Sequence, residues 1–502
     1  MRGVCRKIPV LNLMSKQESA DMQEAVLKVL AETGIVFEDP AVQKEFNEQG
    51  CQVDFTTGCV KMPEKFVKSA ISAIPECFTL KTREKKNEVT ITSDASITNF
   101  ALGGATKLYD KAHKFGRVAT RKEFYDNLTL ADALPNLDMN SAFPLWGFEN
   151  VPECMVTIES AAAKLRVGGK AQLEGAVLDE YQWITQMGKA AGADIVQLAN
   201  SASPLTYYKG VTDRIRFFAK NDVPIQFAPG PFKGMTCPVT NAGAVVSNNA
   251  ETLAGMIYAQ MVCPGSRVWA ASMILTPNMA NGLPAFGDIG QSLHEAAFNQ
   301  YWRDMHIPNV SCSNAWTSAM VADYQAGYEL SIMALLSALT GAAVIQCIGG
   351  LNAQLTYSAA KAVMDNDMVG MIKRFLEGVR VTKETLAAEL IHEVGPLPGC
   401  FIDTDHTFAH WREECYIPRA AVRSNRMKYS EDGEKNAEDI AALRYEEILS
   451  THKAKKLTPP QEAEIEYILQ DARNYYHRKG MISGGEWTSY QKSLHSQNYP
   501  FE

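Results

Sequence analysis

The chain has 502 residues, 46% of them hydrophobic and 21% charged, with a formal net charge of −8. This composition is globular rather than fibrous or disordered, and its acidity disfavours non-specific attraction to nucleic acid or anionic membrane. No apolar run reaches the roughly 18 residues of a membrane span, and Pro9, Asn12 and Lys16 break the N-terminal stretch before it takes signal-peptide form.

In chain order, residues 1–96 predict an α/β cap. It starts with a helix over roughly 17–33 and continues through strand–turn–helix pieces in GIVFEDPAVQKEFNEQG and TTGCVKMPEKFVKSAISAIP. Eight short apolar runs follow: 97–104, 137–144, 169–176, 194–200, 223–229, 266–272, 307–313 and 342–349. Each is of strand length and ends in Gly, Ser, Pro or Asn. Between them lie helical spacings such as Phe124, Leu128 and Ala131, or Leu178, Tyr181, Ile184 and Met187. Leu253, Met256, Ile257 and Gln260 repeat the pattern, as do Leu330, Met333, Ala334 and Ser337.

Strand and helix alternating eight times predict an α/β fold, a (β/α)8 TIM barrel over 97–395, with a helical C-terminal extension over 396–502 packed on it. The alternative is an open doubly wound sheet, which would want a glycine-rich phosphate turn after the first strand; ALGGATK is not one. The charge-rich stretch from Lys428 to Lys456 reads as a solvated helical surface with a loop. Eleven cysteines without a CxxC pair read as reduced thiols, so a cytoplasmic protein is expected.

In such a barrel, chemistry sits at the C-terminal strand ends. There the sequence places Phe143 and Trp146, Glu174, Asn200 with Tyr207 and Tyr208, Phe227, Trp269, Asn314 with Trp316, and Gln346. These are aromatics and amides with one carboxylate. Converging aromatic faces attract a quaternary ammonium, which has no hydrogen bond to donate. Barrels also collect aromatics for packing, and Phe227 and Trp269, lying within strands, are expected to serve that purpose.

Other groupings point less far. His406 and His410 stand four apart in DTDHTFAHWREEC but lack the zinc HEXXH pattern and any Cys at ligand spacing, so no metal is expected. His294 and Glu295 on an amphipathic helix read as structural, and Cys312 and Cys347 have no cationic neighbour to activate them. No Ser-His-Asp order, nucleophile elbow or P-loop occurs.

Several ordered blocks resemble the trimethylamine methyltransferase family from about residue 25 to 430. They are TGIVFEDPAV, EQGCQVD, SASPL, NNAETLAGMIYAQMVCPGSRVW, DYQAGYELSIMALLSALTGA and DNDMVGMIKRFLEGV. The resemblance implies a barrel enzyme that passes a methyl group from a small amine to the Co(I) of a cognate corrinoid protein. It also implies that this chain binds no cofactor tightly itself, and that it forms a homo-oligomer. Where trimethylamine enzymes carry pyrrolysine, shortly before the D-x-Q-A-G motif of Asp323 and Gln325, this chain has Trp316. It thus resembles the branch whose members demethylate glycine betaine, proline betaine or carnitine.

Many relatives carry His-Asp before the strand-eight glycines where this chain has Gln346 and Cys347, which leaves the particular betaine open. The residues expected to bind substrate are Phe143, Trp146, Glu174, Asn200, Tyr207, Trp316 and Gln346, with no acid–base pair because the nucleophile belongs to the partner. Glu174 has two readings, contact with the cation or anchoring of barrel loops; Asp323 and Gln325 either touch substrate or orient their loop. Alternatives to the methyltransferase are a non-catalytic binder of betaine-like osmolytes, trimethylamine as the donor, or a barrel lyase or hydrolase.

Overall fold

The eight apolar runs each form a parallel strand, because a strand covered on both faces needs apolar side chains on both. The chain, described from a computed structural model over residues 2–110, 113–141, 147–175 and 178–501, alternates strand and helix in order. The first half is β1 (Ile97–Leu102), α1 (Arg121–Ala133), β2 (Met139–Asn140), α2 (Val156–Val167), β3 (Ala171–Glu174), α3 (Tyr181–Ala191), β4 (Ile195–Leu198) and α4 (Lys209–Lys220). The second is β5 (Ile225–Phe227), α5 (Asn241–Val262), β6 (Val268–Ser272), α6 (Ile289–Asp304), β7 (Asn309–Ser311), α7 (Tyr324–Leu339), β8 (Val344–Ile348) and α8 (Ala359–Leu376). The sheet closes on itself where β8 pairs parallel to β1, Ile345 beside Phe100 and Gln346 beside Ala101. The fold is a (β/α)8 barrel, as the strand count predicts.

Local chemistry sets the helix ends. Thr120 and Glu123 form a reciprocal capping box at the start of α1, and the Ser358 hydroxyl accepts from the Lys361 N–H at the start of α8. Gly192, at φ +71°, ends α3 in the left-handed region that a Cβ would disfavour. Leu178, read from spacing as part of that helix, lies before its first turn and is exposed.

Alternation divides each strand between the two layers. Ala101, Met139, Ala171, Leu173, Val196, Trp269, Ala271, Val310 and Val344 pack together inside the barrel. Phe100, Ile225, Phe227, Val268 and Ile345 face the helices. Phe227 is therefore packing, as expected.

The N-terminal mouth is closed. A hairpin, Cys77–Leu80 against Val89–Thr92, inserts Phe78, Leu80, Val89 and Ile91 into the interior cluster. Phe78 stacks on Trp269 with centroids 5.5 Å apart. Asp194, one residue before β4, accepts from Lys81 N (2.8 Å) and from both Nη atoms of Arg267 (2.8 and 3.0 Å). Any ligand must therefore enter from the other end.

On the outside, the C-terminal helix Pro459–Arg478 packs Ile465, Ile468, Leu469 and Ala472 against α2 and α3. Arg473 Nη2 donates to Glu159 on α2 (2.8 Å), with both side chains buried. Among the described residues no helix is long and apolar enough to cross a membrane.

Candidate active site at the open mouth

Among the described residues, the open mouth is built mainly from the strand ends and loops of β6, β7 and β8. Trp316, in the loop after β7, is 8% exposed and packs on Phe286 from the loop after β6, with ring centroids 5.2 Å apart and planes at 58°. Both belong to the cluster that fills the barrel, and the indole Nε1 of Trp316 has no hydrogen-bond partner. One strand over, Gln346 Oε1 accepts from the Cys312 thiol (3.1 Å). Across the mouth Asn200 Oδ1 accepts from Ala228 N (3.1 Å), which leaves the NH2 half of that amide for another partner.

The Trp316 loop is held from behind. Glu329 on α7 accepts from the Thr317 hydroxyl (2.5 Å) and Ser318 N (2.9 Å), and Gln325 donates to its other oxygen (2.8 Å). Asp323 caps α7, accepting from Ala326 N at 3.2 Å. Asp323 thus fixes the start of α7, and Gln325 reaches the loop that carries Trp316 through Glu329. Ser318 exchanges hydrogen bonds with the backbone of Phe286, fixing the two aromatic loops to each other (2.9 and 3.1 Å).

Two expected residues are not brought to the mouth. Glu174 alternates with the inward Leu173 and faces α2, where its carboxylate hydrogen-bonds Lys164 Nζ; neither side chain is exposed. Burial pushes Glu174 up and Lys164 down, so the pair offers no net charge to a cation. Lys164 also donates to the Ser141 carbonyl, which ties the end of β2 to β3. Tyr207 stacks on Phe37 of the N-terminal region (5.3 Å, 10°), donates to the Glu251 carbonyl (2.9 Å) and is fully buried in the helix-side core. Its position at a strand end gave no hint that the strand Thr206–Tyr207 would pair with Ile35–Phe37. Phe143 and Trp146 lie outside the described residues.

The remaining groupings also find places. The rings of His406 and His410 approach to 4.5 Å, and His410 meets Glu384 at 3.3 Å on the exterior. Among the described residues no three metal-binding side chains gather. Burial pushes the Cys312 thiol up to about 12, the reverse of what a nucleophile needs, and raises Cys347 as well. Burial likewise lowers His294 to about 3 and raises Glu295 to about 8, so both are neutral near pH 7 and neither carries a charge to the mouth. Phe286 was missed by sequence reading, since it follows β6 by a long loop with no strand-end signature.

Comparison with known proteins agrees with this architecture. The family model for trimethylamine methyltransferase (MTTB) matches residues 1–475. The chain belongs to the trimethylamine methyltransferase family. The trimethylamine methyltransferase MttB of Methanosarcina thermophila is 27% identical over 462 residues, covering 89% of this chain and 94% of that one. The glycine betaine methyltransferase of Desulfitobacterium hafniense (strain Y51) is 27% identical over 478 residues, covering 92% and 97%. A crystal structure of the hydroxylamine MtmB complex shares the fold at a TM-score of 0.52 and 12% identity, covering 94% of this chain and 89% of that one.

For a trimethylamine methyltransferase family member, the mouth has a definite chemical character. Aromatic faces and amide groups surround it, while the carboxyls nearest to it are neutralised, capped or turned outward. Such a surface suits binding and orienting a ligand while excluding water.

Proposed function

We propose that this chain demethylates a small betaine-like quaternary amine and passes the methyl group to the cobalt of a corrinoid held by a partner protein. The observation that carries the reading is the mouth itself: Trp316 and Phe286 side by side, with the neutral amides of Gln346 and Asn200 around them. A quaternary nitrogen is already positive, so its amine leaves neutral without a general acid. The corrinoid supplies the Co(I) electron pair that forms the new Co–C bond as the C–N bond breaks and the nitrogen keeps its own pair.

The protein's share is orientation and a dry surface. Trp316 and Phe286 hold the cation by their faces, each contributing about 0.5–2 kcal/mol depending on desolvation. A buried carboxylate at the same place would hold it too well, because the charge on nitrogen disappears as the methyl departs. Locking Glu174 onto Lys164 avoids that. With the N-terminal mouth plugged by the Phe78 hairpin, the methyl must point out of the C-terminal mouth, where a partner's cofactor can approach.

The test mixes the purified chain, a reduced corrinoid protein and a panel of quaternary amines with trimethylamine, following the cobalt spectrum. Conversion of Co(I) to methyl-Co(III) with a betaine and not with trimethylamine is expected. No conversion with any of them would sink the reading.

A further inference from the structure

We propose that Gln354 is a specificity-determining residue, donating an N–H to the carboxylate of a zwitterionic quaternary-ammonium substrate. This rests on the methyl-transfer reading above and adds to it how the anionic end is recognised.

Gln354 sits in the loop after β8. It closes a tight hairpin in which Asn352, Ala353 and Gln354 have φ of +50°, +55° and +64°, three consecutive non-glycine residues in the left-handed region. Side chains rarely adopt that conformation even singly, and it persists only where the surroundings enforce it. Here they do: Asn352 N donates to the Ala319 carbonyl (2.8 Å) and Ala353 N to the Thr317 carbonyl (2.9 Å), both in the loop that bears Trp316.

The turn delivers one side chain. Gln354 is 6% exposed, and neither its Oε1 nor its Nε2 has a hydrogen-bond partner. The amide lies over two glycines. A Cβ on Gly350 would overlap it, and one on Gly103 would stand 2.9 Å from Oε1. Gly103 continues the inward register of Ala101, whose neighbour on β8 is Gln346. Gln354 therefore sits above Gln346 on the inner wall, in space kept open by the missing side chains.

The other groups at the mouth indicate what this amide meets. Gln346 and Asn200 each have the amide oxygen engaged, by the Cys312 thiol and by Ala228 N, so each turns its NH2 to the ligand side. Trp316 Nε1 is unpartnered. Together with Gln354 Nε2 these are neutral N–H donors, the complement of a group that only accepts. In the loops after β5 to β8 (228–240, 273–288, 312–323 and 349–358) the one cationic residue is Lys233, and it is tied to Asn241 at 2.8 Å. Neutral donors suit a carboxylate whose charge is already balanced by its own ammonium; a fixed cation would repel that ammonium.

The experiment titrates the chain, without corrinoid protein, with glycine betaine and with choline, which keeps the trimethylammonium and lacks the carboxylate, by calorimetry. Wild type should bind the betaine more tightly. Gln354→Ala should weaken betaine binding roughly 10- to 100-fold and leave choline within about two-fold, the loss expected of one hydrogen bond to a charged group. Gln354→Met, which keeps the length and fills the same space without a donor or a charge, guards against a folding failure and should lose the betaine equally and keep choline. Gly350→Ala, which displaces the amide without removing it, should shift the betaine in the same direction. Equal loss of both ligands, no loss of either, or a wild type that does not prefer the betaine overturns the assignment. Absence of cobalt methylation with a betaine preference that Gln354→Ala abolishes overturns the methyl-transfer reading alone.

Discussion

Each end of the barrel holds a tryptophan, and the fold treats the two in opposite ways. Trp269, towards the plugged end, is 1% exposed, lies flat on Phe78 and donates its indole N–H to Gln226 Oε1 at 2.8 Å. Trp316, at the open end, is tilted against Phe286 and its N–H finds nothing. Gln354 and the carboxyl of Glu295 are left unpartnered in the same half of the barrel. A buried polar group without a partner costs about 1–3 kcal/mol. Other buried polar atoms without a partner are spread through the barrel, Asn99 Oδ1 beside the plugging hairpin and both amide atoms of Gln197 among them; what sets Trp316 and Gln354 apart is their place at the open mouth, where a ligand can reach them.

The strongest way to break this contrast is to truncate both tryptophans. Trp269→Ala removes a fully packed ring and should cost about 3–5 kcal/mol of stability, read as a lowered urea midpoint, while betaine affinity of the remaining folded protein stays within about two-fold. Trp316→Ala should do the reverse. Its cavity opens towards the mouth and fills with water, so the midpoint moves less, but a desolvated cation–π face of about 2 kcal/mol is lost, roughly 30-fold in affinity. Equal midpoint losses with unchanged affinity in both variants would erase the distinction between the ends.

Much of the barrel was legible in the sequence because both-face burial writes itself as apolar runs, and each of the eight runs contains its strand. Trp269 and Phe227 were legible as packing for the same reason: a residue inside a strand has its direction set by alternation. Tyr207 and Glu174 were not. Their positions at strand ends are local facts, but what they face depends on elements distant in sequence, Phe37 for one and Lys164 on α2 for the other. Gln354 was hidden differently. The glycines after β8 stand out in the sequence, yet that they make room for a side chain four residues later follows only from the left-handed turn, which no Gly or Asn-Gly signal announces beyond Asn352.

Glu295 sharpens the contrast through pH. It lies on α6 near the hydroxyls of Ser272 and Ser311, the last residues of β6 and β7, and both its oxygens lack a well-formed hydrogen bond. The Asp194–Arg267 pair at the opposite end is fully engaged. Desolvation raises Glu295 from its ordinary 4.5 to about 8. Below 4.5 the folded and unfolded chains both hold this proton. Between there and 8 the folded chain keeps it and the unfolded chain releases it, so stability falls as pH rises, by at most about 1.4 kcal/mol per pH unit. Above 8 both forms are ionised and the loss is complete. Glu295→Gln keeps a neutral group of the same size, so its advantage over wild type in urea midpoint should grow steadily from pH 5 to pH 8. Parallel midpoints across that range would mean the carboxyl is ionised in the folded state, and the open half of the barrel would then carry a charge that the neutral mouth described above does not contain.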